Sequence, residues 1–289
     1  MLTKRLGILG AIAILPAFAQ VSSAPPPSDT TEKTAPRRHR PIRDLLDHRD
    51  GTVTSSNWSG YAVTGSAFTK AKGSWIVPKA KCSSGAQYAS FWVGIDGYSS
   101  GTVEQTGTDS DCSGGSPVYY AWYEFYPAYP VYLAMTINPG DHMSAKVVYS
   151  SSKFTITITN ETTGKSFSKS STVSGAQRSS AEWIAEAPSS GSGALPLADF
   201  TEVLFGDDHT GVTGTCDATD TTKSGAIGVF PTIEEITMEK SSVKEAIPSK
   251  LSSDGTSFSV TWPPNRATRI VLSDLVGRTS RPAGWWGRR

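Results

Sequence analysis

Apolar and polar side chains alternate with period two through the middle of this chain. Phe154, Ile156 and Ile158 interleave with Thr155, Thr157 and Thr159, the pattern of an antiparallel strand with one face in a core and threonines turned outward. Comparable runs occur at 58–63, 88–95, 119–126, 133–137, 144–149, 182–186, 201–205, 233–238 and 257–262, separated by turns rich in Gly, Ser and Asn. Many short strands at near-regular spacing predict an all-β fold over 55–265, a sandwich of antiparallel sheets. Outside that region the period disappears. Residues 41–48 are compatible with a short helix and 270–275 with one further short element. The rest of 266–289 reads as a flexible basic tail without a lipidation signal.

Composition narrows the class. Of 289 residues only 18% are charged, and 27 are glycine. Strand and turn formers outweigh helix formers, which excludes a mainly helical protein. The body has no apolar run of about eighteen residues, so a polytopic membrane protein is not expected. Three cysteines and four histidines, widely scattered, do not make a zinc ribbon or finger. The net charge of +1 hides an asymmetry: residues 51–265 carry thirteen Lys/Arg against twenty Asp/Glu, while both ends are basic. No basic stripe with interleaved aromatics crosses the body, so nucleic acid is not an expected partner. With few basic groups, protonating the carboxylates leaves little self-repulsion, which is compatible with work at low pH.

The N-terminus has the layout of an export signal. Lys4 and Arg5 precede an apolar run over 6–18, and Ala17-Phe18-Ala19 offers a cleavage site, so 1–19 reads as a signal peptide, with a second candidate site at Ser22-Ser23-Ala24. The expected destination is extracellular (periplasmic in a bacterium), free of the membrane once the signal is removed. Residues 20–54 are Pro-rich and then basic, with Arg37-Arg38-His39-Arg40 at their centre. The segment reads as a propeptide; the plainer alternative is a disordered linker.

The familiar catalytic motifs are absent. Gly97-Tyr98-Ser99-Ser100-Gly101 fits a nucleophile elbow letter for letter, but no helical pattern follows it, so a turn between strands is expected. His142 and His209 read as solvated loop residues, and paired Asp-Thr/Ser-Gly motifs do not occur. An acid-base group in this chain is therefore expected to be a carboxylate. Strand parity supplies candidates. One face of the 119–126 run carries Tyr120, Trp122, Glu124 and Tyr126; one face of 88–95 leads to Trp92, Gly94 and Asp96; Glu182, Ile184 and Glu186 share a third. Such a mixed aromatic and acidic face suits a groove that grips a polymer.

Six segments then occur in order: Asn57-Trp58-Ser59-Gly60, Trp75-Ile76-Val77-Pro78, Trp92-Val93-Gly94-Ile95-Asp96-Gly97, Gln105-Thr106-Gly107, Ala121-Trp122-Tyr123-Glu124-Phe125-Tyr126-Pro127 and Ala181-Glu182-Trp183-Ile184-Ala185-Glu186. Together they resemble the eqolisins, the glutamic peptidases. The resemblance implies a concanavalin-like sandwich of two roughly seven-stranded sheets with one concave, substrate-binding face. It implies a secreted acid endopeptidase made with a signal and a propeptide. Its catalytic pair maps onto Gln105 and Glu186, and its groove residues onto Trp58, Trp92, Asp96, Trp122 and Glu124. Better-known fungal members carry an Asp where Tyr120 stands, so the chain is expected to be a divergent, non-fungal member with an altered carboxylate network.

These residue types suit amide hydrolysis. Ionised Glu186 can take a proton from water as general base and return it to the leaving nitrogen. Gln105 offers amide N–H donors to the oxyanion and never titrates. No metal or cofactor is required. The expected partners are polypeptide substrates and the chain's own propeptide as inhibitor, the protein acting as a monomer. Two other classes remain: a β-sandwich glycoside hydrolase using two glutamates, and a non-catalytic carbohydrate- or peptide-binding module. Cys82 and Cys112 flank the Trp92–Gln105 stretch. A bridge between them would stabilise by about 3–4 kcal/mol and leave Cys216 free; the alternative is three unpaired thiols.

Overall fold

The computed structural model describes residues 33–34, 37–48, 53–191 and 193–264. The expected signal segment 1–19, and the tail 266–289 with its element at 270–275, lie outside the described residues. Among the described residues, helix is confined to one turn at Asp207–Thr210 and a 3-10 turn at Ile227–Val229. The strand Lys153–Asn160 shows how the alternation folds. Phe154, Ile156 and Ile158 are buried. Thr155, Thr157 and Thr159 turn outward and bond the hydroxyls of Ser170, Ser168 and Ser166 at 2.8, 3.2 and 3.0 Å. Each such cross-strand pair contributes roughly 0.2–1 kcal/mol.

Two layers face each other. One runs in the order Val131–Leu133, Ser116–Tyr126, Val103–Ser113, Ser90–Ile95, Ser180–Glu186, Trp58–Thr64, Ile233–Lys240, each neighbour antiparallel. The other runs Lys165–Ser171, Lys153–Asn160, His142–Ser150, Lys70–Ile76, Glu202–Gly206, Ser257–Thr261. Val243–Pro248 pairs with both Ile233–Lys240 and Ser257–Thr261, so hydrogen bonding passes from one layer into the other. Phe91, Val93, Ile95, Tyr123 and Trp183 of the first layer pack with Trp75, Phe154, Ile156, Ile158 and Phe205 of the second in one apolar core. Close approach is built in at Gly60, with φ +140°, where a Cβ would lie 2.3 Å from the Trp183 carbonyl oxygen.

Two expectations from the pattern are corrected. The run at 133–137 is not a strand: pairing stops at Val131–Leu133, and Met135 and Ile137 alternate inward because they plug the core from a loop. Residues 41–48 are not helical: the chain bends at Asp44, with φ +49°, and only Leu46–Asp47 is a strand. Leu46–Asp47 pairs with Val53–Ser55, and Ile42 and Leu45 pack against the apolar cluster that includes Trp58, Trp92 and Ile184. That apolar contact with the body outweighs the weak local preference of so short a helix. The Gly97-to-Gly101 motif is a turn between strands, as its context indicated. Cys82 and Cys112 form a disulfide, with Cα atoms 5.4 Å apart; Cys216 is a free, buried thiol whose ionisation burial pushes far up.

Candidate active site

The face of the first layer turned away from the core carries three side-chain rows set by strand register. Glu182, Gly94, Gln105 and Glu124 lie in the first row. Ile184, Trp92, Gly107 and Trp122 form the second. Glu186, Ser90, Asp109 and Tyr120 form the third, with Trp58 opposite Glu186 on the other side. Two of these strands are separated by sixty residues or more of chain, so only the sheet brings Gln105 and Glu186 together. A Cβ on Gly107 would lie 2.6 Å from Trp92 Cβ, so the Trp92 and Trp122 positions flank one that only glycine fills.

Each polar group in the rows is oriented by another. Trp92 Nε1 donates to Glu186 Oε2 at 2.8 Å, and Trp58 meets the Trp92 ring edge-on at 4.9 Å. Gln105 Nε2 donates to Glu124 Oε2 at 3.2 Å. Asp109 Oδ1 accepts from Trp122 Nε1 and Ser90 Oγ, both at 2.7 Å. Burial, followed by the charge of Glu124, raises the Glu186 carboxyl well above the ordinary range. Burial likewise raises Glu124, opposed by the His39 backbone N–H. Two neighbouring carboxyls in that situation share their protons: one is held neutral while the other ionises.

The segment 37–43 lies along this face. Gln105 Nε2 donates to the His39 carbonyl oxygen at 2.7 Å, and the next amide, Arg40 N, donates to Glu186 Oε1 at 3.1 Å. The peptide bond between His39 and Arg40 thus spans the two side chains. His39 N donates to Glu124 Oε2 at 2.9 Å, and Trp58 Nε1 donates to the Arg40 carbonyl at 3.1 Å. The His39 imidazole lies flat on Trp122, with ring centroids 3.6 Å apart. The ring sits 3.5 Å from Glu186, yet burial, followed by the charge of Arg37, keeps its pKa well below the usual value. Arg37 pairs with Asp111, donates to Tyr132 Oη at 2.7 Å and lies over the Tyr88 ring at 4.4 Å. Asp109 is 3.9 Å from the same guanidinium.

The structure brings Gln105, Glu186, Trp58, Trp92, Trp122 and Glu124 to one place. It holds Asp96 apart. That carboxylate accepts the backbone N–H groups of Gln177, Arg178 and Ser179 at 2.8, 2.7 and 2.9 Å, a loop clasp at the end of the Ser90–Ile95 strand. Glu182 shares the face and is fully buried. Tyr120, in place of a family carboxylate, stacks on Tyr132 with centroids 5.0 Å apart. Its cross-strand neighbour Asp109 supplies a buried acid there instead. Sequence reasoning missed Asp109, Asp111 and the site-facing role of His39. Parity from Gln105 through Gly107 would have reached Asp109. His142 and His209 are placed elsewhere: His142 Nδ1 bonds the Thr210 carbonyl at 2.9 Å, and His209 is exposed in the helical turn.

Residues 56–260 match the family model described as Peptidase A4 family. Aspergillopepsin-2 from Aspergillus niger is 36% identical over 176 residues, covering 52% of this chain and 62% of that protein. The chain therefore spans less than two thirds of that relative's length. Among solved structures, scytalido-glutamic peptidase with a transition state analog inhibitor superposes with a TM-score of 0.61 at 28% identity, over 72% of this chain and 98% of that one. SCP-B, a member of the eqolisin family in complex with the tripeptide Ala-Ile-His, superposes with a TM-score of 0.58 at 29% identity, over 72% and 98%.

Proposed function

The chain belongs to the peptidase A4 family, and from that membership together with the cleft geometry we propose that it is an acid endopeptidase whose catalytic pair is Gln105 and Glu186. One observation carries the reading: a peptide bond lies across the pair, its carbonyl oxygen on Gln105 and its nitrogen on Glu186. Amide hydrolysis asks for those contacts. Ionised Glu186 takes a proton from the attacking water; Gln105 Nε2 receives the oxyanion; Glu186 then returns the proton to the leaving nitrogen. Glu124, bonded to Gln105, fixes the orientation of the amide. Trp92 and Trp58 hold Glu186 and the far side of the substrate backbone.

The substrates are polypeptides taken up in extended form, and the protein works as a monomer. The segment around 37–43 is a propeptide that inhibits by lying in the cleft as a substrate would. The relative solved with Ala-Ile-His carries a tripeptide ending in histidine; this chain presents Arg37-Arg38-His39 to the pair. Release outside the cell suits both the acid chemistry and the export-like N-terminus. Digestion of casein by acid-treated protein tests the reading. Wild type should degrade casein and leave a polysaccharide film intact, and Glu186→Gln should leave both intact. Casein digestion that survives Glu186→Gln would overturn it.

A further inference from the structure

We propose that the chain cuts its own bond between His39 and Arg40, in cis, as the first step of its maturation, and that the arm from Arg40 onward then stays in the cleft as a bound product. This rests on the catalytic pair proposed above. Of the peptide bonds in the segment, this is the one with its carbonyl on Gln105 and its nitrogen on Glu186. Both flanks are anchored, so the register is fixed. On the N-terminal side Lys33–Thr34 pairs with Tyr132 and Val131, and Arg38 exchanges two backbone hydrogen bonds with Ser189 at 3.1 and 2.9 Å. On the C-terminal side Ile42 N donates to the Gly97 carbonyl at 3.1 Å, and Arg43 N donates to Asn57 Oδ1 at 2.8 Å.

The step balances with water as the only co-reactant. The water oxygen bonds to the His39 carbonyl carbon and gives a proton to Glu186. The C–N bond to Arg40 breaks as Glu186 passes that proton to the nitrogen. The products are a carboxyl group on His39 and an α-amine on Arg40, which takes up a further proton from solvent. The strands that build the cleft belong to the same chain as the segment, so the reaction needs no second molecule.

The two products are held differently. The piece ending at His39 is held by the backbone pairing of Lys33–Thr34 and Arg38 and also through charge, by Arg37 against Asp111 and Asp109 and by one hydrogen bond from His39 N to Glu124. The arm over 40–47 is held by uncharged backbone contacts to Trp58, Asn57 and Gly97. It is also held by Ile42 and Leu45 on the apolar cluster and by the pairing of Leu46–Asp47 with Val53–Ser55. It is covalently tethered besides, which keeps its effective concentration high. Acid weakens the charged contacts of the first piece, while the contacts named for the arm carry no charge.

Protein purified uncut at neutral pH and shifted to acid tests this by N-terminal sequencing and intact mass over time. The first new N-terminus should be Arg40, and its half-time should not change on tenfold dilution. The uncut Glu186→Gln chain, mixed with an equal amount of wild type, should keep its own bond while wild type cuts. A first cut elsewhere, a half-time that lengthens tenfold on dilution, or rapid cutting of Glu186→Gln by wild type would each overturn the proposal. If casein is digested while Arg40 never appears first, this inference fails and the peptidase reading stands. If neither occurs, the peptidase reading fails as well.

Discussion

In the proposed reaction, Gln105 and Glu186 would divide the work between a group that cannot titrate and one that must. Glu186→Gln keeps size and hydrogen-bonding capacity but removes the base, so turnover on casein should fall by roughly 100–10,000-fold while folding survives. Gln105→Ala should cost on the order of 100–1,000-fold through the lost oxyanion donor. The double variant should be barely worse than the poorer single one, because both residues act on one tetrahedral intermediate. Glu182→Gln is the control: it lies in the first row with Gln105 but touches neither the segment nor the pair, and it should keep activity within a few-fold. Equal losses at 182 and 186 would reassign the base. At this scale the sequence was informative where parity or a motif applied. Trp92, Trp122, Glu124 and Glu186 fall on the face their alternation assigns. Asp96 fell on that face too, yet a backbone clasp engages its carboxylate, and clasps made by a loop eighty residues away leave no local signal.

The strand Val103–Ser113, which carries Gln105, was the element hardest to read. Its residues from Glu104 to Asp111 are almost all polar and all buried, so neither face alternates in hydropathy. Several of its polar side chains bond groups of other strands instead of packing apolar surface, Asp109 with Trp122 and Ser90 and Thr108 with Trp75, and pattern reading has no term for that. Two hairpins were equally silent. Ser151-Ser152 and Ser241-Ser242 link adjacent strands as two-residue turns with φ of 50°, 59°, 51° and 60°, where Asn-Gly would have announced them. The left-handed conformation costs a non-glycine residue roughly 1–2 kcal/mol. Ser152→Gly and Ser242→Gly should therefore each stabilise the fold by about 1 kcal/mol, read as a higher urea midpoint with an unchanged slope. The two gains should add, since the hairpins are independent; a lower midpoint in either variant would show that the serines contribute contacts outweighing their strain.

For the whole molecule, buried carboxyls set the direction of its response to pH. Burial, with the nearby charge of Asp96, pushes Glu104 up to about 9, and burial raises Glu182 well above the usual range. A carboxyl whose folded pKa exceeds its unfolded one contributes stability that is complete below the unfolded pKa and is lost as pH rises through the folded value. Each group contributes a slope of at most about 1.4 kcal/mol per pH unit in that window. The fold should thus be most stable in acid and weaken from about pH 4.5 toward 9. Urea midpoints at pH 5 and pH 8 check this: wild type should lose stability between them and Glu104→Gln should lose less. Equal slopes would remove Glu104 from the account.

If the segment leaves the cleft on maturation, as proposed, a second pair of buried acids, Asp109 and Asp111, would set when the cleft opens. Arg37 holds its segment down through Asp111, whose carboxyl is raised by burial and by Asp109 and pulled back by Arg37 itself. Asp109 is raised by burial and pulled back by the same guanidinium. The ion pair exists only while these carboxylates are ionised, so it weakens as pH falls through their folded pKa values. Tyr132 and Tyr88 also touch Arg37, through a hydrogen bond and a ring face, and these contacts do not depend on the carboxylates. Removing one partner of a buried pair typically costs about 3–5 kcal/mol, enough to shift a balance between seated and released segment by two orders of magnitude or more. Arg37→Ala should therefore let the cut piece ending at His39 leave without the acid step, and the rate of its departure should become nearly flat with pH over the range where wild type accelerates. Arg37→Lys should keep part of the dependence, since a point charge can face Asp111 but cannot also reach Tyr132 in the same geometry. The measurement is the rate at which the piece ending at His39 leaves the cut chain against pH for the three proteins. If Arg37→Ala retained the full acid dependence of wild type, control would have to lie with Glu124 and Glu186 rather than with this pair.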